Sequence, residues 1–102
     1  MARFRLTPTA LASLSAIALY TEANWGVKQR NAYLTALDNR FHDLAKSPGI
    51  GRPRDELSAG LRSFHHAKHV IFYLSQNGIV TIVDILHDRM EPGPRLQIPA
   101  RK

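Results

Sequence analysis

The apolar positions of this chain change rhythm partway along it. In "LTPTALASLSAIALYTE", Leu11, Leu14, Ile17 or Ala18, and Thr21 recur at helical spacing. Thr7 fits as the N-cap of that helix, and Pro8 at its first position gives up an N–H that has no partner there. The helix is expected to fade near Asn24, with Gly26 just behind. A second stripe follows, in which Leu34, Leu37, Phe41 and Leu44 step by 3, 4 and 3, one face of a helix. Val27 and Tyr33 extend it, while Lys28, Arg30, Asp38, Arg40 and Lys46 point away, and Pro48-Gly49 ends it. Trp25 lies between the two helices and is expected to pack in their elbow; the functional alternative is a stacking platform for a base.

Past Gly60 the pattern becomes that of strands. "GLRSF" is a short strand, and "AKHVIFYL" and "IVTIVDILH" are rich in β-branched and aromatic residues. Asn77-Gly78 between them signals a hairpin with a tight type I′ turn. Counting outward from that turn pairs Gln76 with Ile79, Leu74 with Thr81, Phe72 with Val83, Val70 with Ile85 and Lys68 with His87. This face is apolar at its centre and is expected to lie beneath the helices. The opposite face pairs Tyr73 with Ile82, Ile71 with Asp84 and His69 with Leu86. Two helices cover one face of a small sheet, so Ile71, Tyr73, Ile82 and Leu86 are expected on a partly apolar face that meets a partner. A homodimer or the C-terminal tail is the alternative cover.

The remaining segments are shorter. Arg3 to Leu6 reads as an edge strand, Ser47 to Gly60 as a polar loop, and "EPGPRLQIPARK" as an irregular tail over about residues 91–102. The whole is α+β, a strand and a helical hairpin against an antiparallel sheet, in one domain spanning residues 1–102.

Composition narrows the setting. With 44% hydrophobic and 22% charged residues the chain reads as globular rather than disordered. It has no cysteine, which excludes disulfides and thiolate metal sites. No apolar run suits a signal peptide or a membrane span, so a cytoplasmic protein without a membrane partner is expected. The net charge of +6 favours an acidic partner.

The candidate chemistry sits in the β third. His65, His66, His69 and His87 are there, but in the register above His69 and His87 fall on opposite faces, so no metal site is expected. A metal-free ribonuclease needs an acid and base plus cations for the phosphate, and His87 and Arg89, with Lys68 opposite, are the right types. No nucleophile motif, phosphate-binding loop or dinucleotide signature is present, and no cofactor is expected.

At this point the sequence resembles a known family. "YTEANWGVKQRNAYLTAL", "FHDLAKSPGIGRPRDELSAGLRSF", "HVIFYL" and "ILHDRM" are similar, in order and spacing, to the ParE/RelE toxin superfamily of type II toxin–antitoxin pairs, on the ParE side. The likeness covers about residues 3 to 91. It implies an opening strand, a helical hairpin and a twisted antiparallel sheet of three further strands. It also implies a toxin that acts on DNA gyrase and blocks replication, without being an enzyme. The resemblance further implies a cognate antitoxin with an acidic or amphipathic segment, in a hetero-oligomer that reaches operator DNA only through the antitoxin. On this reading Ile71, Tyr73, Ile82 and Leu86 receive the antitoxin, and His87, Arg89 and Met90 belong to the target-binding surface. The alternative within the superfamily is a ribosome-dependent mRNA endoribonuclease of the RelE type, with His87, Arg62 and Arg89 near the phosphate. The chain departs from that pattern at His69, where an arginine is usual, and after Met90, where no tyrosine or histidine follows.

Overall fold

The computed structural model describes residues 3–99. In chain order it has β1 (Arg3–Leu6), α1 (Pro8–Trp25), α2 (Val27–Lys46), a 3₁₀ turn at Pro48–Ile50, β2 (Arg52–Pro53), β3 (Arg62–His66), β4 (His69–Gln76), β5 (Ile79–His87) and a second 3₁₀ turn at Gly93–Arg95.

Thr7 caps α1: its hydroxyl oxygen accepts from the Ala10 N–H at 3.0 Å and donates to the Val83 carbonyl at 2.8 Å. One side chain thus starts the helix and ties it to β5. The chain turns from α1 into α2 through Gly26 alone, at φ 93°, a conformation that suits glycine. Glu22 and Arg30 form an ion pair across this elbow.

The five strands form one sheet in the order β1-β5-β4-β3-β2. β1 runs parallel to β5, so the sheet is mixed, and β2–β3, β3–β4 and β4–β5 are antiparallel. The Asn77-Gly78 turn has φ of 53° and 76°, both positive as a type I′ turn requires. The expected register holds from Gln76↔Ile79 to Tyr73↔Ile82. It then slips: a bulge places Phe72 opposite Asp84, Ile71 opposite Ile85, Val70 opposite Leu86 and His69 opposite His87.

The core also differs from the sequence expectation, because the helices pack on the opposite face of the hairpin. The helices cover Ile71, Tyr73, Val80, Ile82 and Ile85, which pack with Ala10, Ile17, Leu37, Phe41 and Leu44. Of the side chains expected there, Ile85 is in place, while Phe72, Leu74 and Val83 lie in a second cluster with Leu61 and Leu86. That second cluster is covered by Leu57, Val70, Leu96 and Ile98, so the tail is the cover on this side, together with the loop before β3. Leu11, read as an inward position of α1, is 54% exposed; Ala10 takes the core place beside Thr7.

Candidate functional site

At the end of the sheet where β4 begins and β5 stops, the last turns of α1 and the start of α2 stand off from the strands. The gap is a groove of about 800 Å³, within the usual range of a ligand site. Its helical wall carries Ile17, Tyr20, Trp25 and Tyr33. Its sheet wall runs from Ala67 to His69 and from Ile85 to Met90.

The register slip builds the histidine cluster at this end. With Val83 taken up in the bulge, His69 and His87 become direct cross-strand partners, and their rings meet edge-on at 5.6 Å. His66 pairs with His69 on the other side. The Tyr33 hydroxyl and Nδ1 of His69 are hydrogen-bonded at 2.6 Å. Burial, then the neighbouring His87, hold the His69 imidazole below the ordinary histidine value. His66 is lowered as well, by burial first and then by Arg40 and His65. Burial raises Tyr33, with the Asp88 carboxylate adding to it. The hydrogen bond from His65 at 3.2 Å holds the exposed Asp88 carboxyl below its ordinary range. The Arg89 backbone N–H lies 3.2 Å from Nδ1 of His87, and the same nitrogen lies 3.3 Å from the Asp88 carboxylate. Among the described residues no three histidine or carboxylate side chains gather as a metal site.

The residues singled out in the sequence divide accordingly. His87, Arg89 and Met90 all line the groove, and Met90 is 42% exposed. Arg62 does not join them. It lies opposite Tyr73, four positions along β4 from the His69–His87 row, about 13 Å at the usual strand rise. Its guanidinium is committed to the Gly51 carbonyl at 2.6 Å. The set His87, Arg89 and Arg62 is therefore not one phosphate site.

The antitoxin face expected at Ile71, Tyr73, Ile82 and Leu86 is a correction. Ile71, Tyr73 and Ile82 are fully buried under the helices and cannot meet a partner. Leu86 is nearly buried in the other cluster, with the groove at its flank. Trp25 is a second correction: it does not fill the elbow but stands 71% exposed on the groove, with Tyr20 beside it at 67%. Sequence reasoning missed Tyr20 and Lys68 as parts of one surface with Trp25. No periodic signal marks it: Tyr20 and Trp25 are five positions apart on α1, off the helical repeat, and meet only in the lining of the folded groove.

Comparison with known proteins agrees with this architecture. The fold matches a chain of the chromosomal ParDE toxin–antitoxin system of P. aeruginosa at a TM-score of 0.72, with 17% identity, covering 85% of this chain and 96% of that one. It also matches a chain of the RelBE2 toxin–antitoxin complex of Mycobacterium tuberculosis at a TM-score of 0.61, with 23% identity, covering 84% and 96%. A hairpin of two helices on a five-stranded mixed sheet is thus an α+β fold that this chain shares with both of those chains.

The sequence relatives are narrower. The family model described as "ParE toxin of type II toxin-antitoxin system, parDE" matches residues 4–92. Toxin ParE1 of Caulobacter vibrioides is 37% identical over 97 residues, 94% of this chain and 99% of its own. Toxin ParE1 of M. tuberculosis is 37% identical over 90 residues, 87% of this chain and 92% of its own. Toxin ParE of Escherichia coli is 34% identical over 97 residues, 94% of both. The chain belongs to the ParE family of type II toxin–antitoxin toxins.

Proposed function

We propose that this chain is a growth-blocking toxin whose target is DNA gyrase, acting in the cytoplasm by binding rather than by cutting a substrate. The observation that carries this reading is the ParE family match across residues 4–92. The separation of Arg62 from His87 and Arg89 supports binding over ribonuclease chemistry, because cations must converge on the phosphate that is cut. His87, Arg89 and Met90, together on the groove, are the proposed target surface. A cognate antitoxin with an acidic or amphipathic segment neutralises the toxin in a hetero-oligomer, and the charge of +6 speeds that encounter and sharpens its specificity. Operator DNA is reached through the antitoxin. Among the described residues no helix is long and apolar enough to cross a membrane.

Pulse-labelling after induction in a bacterial host tests this. DNA synthesis should stop first, transcripts should stay intact, and co-expression of the adjacent antitoxin gene should restore growth. Early cleavage of mRNA with DNA synthesis continuing would contradict the reading and favour the RelE-type ribonuclease.

A further inference from the structure

Trp25 and Tyr20 pose a problem that the fold does not resolve. Large aromatic side chains are normally buried, yet these two stand 71% and 67% exposed on one wall of the groove. Neither supports the core, which is closed by Ile17 and Thr21 on the inner face of α1. Across the groove, Lys68 projects from the turn before β4 and Arg89 from the end of β5. No side-chain hydrogen bond or ion pair engages either cation among the described residues. The carboxylate on this wall, Asp88, is already held by His65 at 3.2 Å. The groove thus sets flat, exposed rings opposite uncommitted cations.

We propose that this groove binds a single strand of nucleic acid, with bases stacked on Trp25 and Tyr20 and the backbone phosphates on Lys68 and Arg89. Bases present flat faces to aromatic platforms whatever their identity, and phosphates supply the negative charge that the +6 protein attracts. An acidic peptide would satisfy the cations equally; what the strand adds is a succession of flat bases for the two open rings. The inference goes beyond gyrase as target, and rests on that reading only for the choice of DNA over RNA. A gyrase-bound toxin would then grip the strand that gyrase has opened, in addition to the enzyme.

Trp25 is the single tryptophan of the chain, so its fluorescence reports occupancy directly. Titration of the antitoxin-free chain with a short oligothymidylate should quench that signal saturably. By anisotropy of labelled oligonucleotide, Trp25→Ala and Tyr20→Ala should each weaken binding about tenfold or more. Lys68→Ala with Arg89→Ala should flatten the salt dependence by about 1.4 in log–log slope. Arg52→Ala, on the exposed far edge of the sheet, should change the affinity little. All the altered side chains are solvent-exposed, and circular dichroism of each variant verifies the fold. Unchanged fluorescence, affinity indifferent to the two rings, or equal quenching by a poly-glutamate peptide would overturn the proposal. Preference for oligouridylate would uphold the groove while counting against gyrase. Supercoiling inhibition without oligonucleotide binding would uphold gyrase while overturning the groove.

Discussion

The Tyr73 hydroxyl is buried with its ring and serves two backbone groups of the loop after α2. It donates to the Pro48 carbonyl at 2.6 Å and accepts from the Gly51 N–H at 2.9 Å. Burial raises its pKa, so it stays a neutral donor. Gly51 is needed for space rather than for its backbone angle: a Cβ there would lie 2.1 Å from the Tyr73 oxygen. Tyr73→Phe strands a buried N–H and a carbonyl and should cost about 1–3 kcal/mol. Urea denaturation should show a lower midpoint at unchanged slope. His69 gives a prediction about pH. It faces Tyr33, His66, His87 and Asp88, and its folded pKa is depressed, chiefly by burial. The unfolded chain therefore takes up a proton first as pH falls. This contribution to stability is whole above the ordinary value of 6.5 and is lost as pH drops below it toward the folded value. Thermal melts between pH 7 and 5 should show a shallower decline for His69→Gln than for the parent chain. Equal slopes would remove His69 from the account.

At the scale of elements, what was legible in the sequence is what local chemistry dictates. Thr7-Pro8, Gly26, Pro48-Gly49 and Asn77-Gly78 each fix a helix end or a turn by their own local backbone preferences, and all four fall where expected. The bulge was not legible, because no glycine or proline marks the extra residue in "IVTIVDIL". Its cause is tertiary: Thr7 reaches the Val83 carbonyl, and Ser13 and Asp84 meet at 2.5 Å between α1 and β5. That slip made the unforeseen His69–His87 pair and returned Ile85 to the helix side beside Ile71. The burial of Ile71, Tyr73 and Ile82 has a separate cause, the helices having packed on the face of the hairpin opposite to the one expected. Trp25 was misread for a similar reason: a one-residue elbow leaves no interior for a ring to fill. Since Thr7 both caps α1 and holds the bulge, Thr7→Ala should cost about 1–2 kcal/mol, and Thr7→Ser should recover most of it. Chemical denaturation of the two variants checks this; equal losses would point to the methyl group instead.

For the whole molecule, the two faces of the sheet are closed in different ways. The helical hairpin seals one in a cluster of ten buried residues, five from the helices and five from the strands, while the other relies on the loop before β3 and on Leu96 and Ile98 of the tail. Among its described residues the tail makes no strand pairing, and Gln97 reaches the body through Thr9 at 3.2 Å. Replacing Leu96 and Ile98 together by alanine should cost about 2–3 kcal/mol, less than for fully buried positions, and should increase binding of a hydrophobic dye. No change in either would mean that the loop alone covers that face. Family membership was legible from the order of four segments; the groove was not, because it exists only where α1, the β3–β4 turn and the end of β5 converge.

The most direct test of the central claim is plasmid supercoiling by purified gyrase in the presence of the antitoxin-free chain. The account predicts inhibition with cleaved plasmid–gyrase complexes accumulating, relieved by adding antitoxin and weakened in a folded Arg89→Ala, Met90→Ala variant. Undiminished supercoiling with a folded chain that still arrests growth would contradict it.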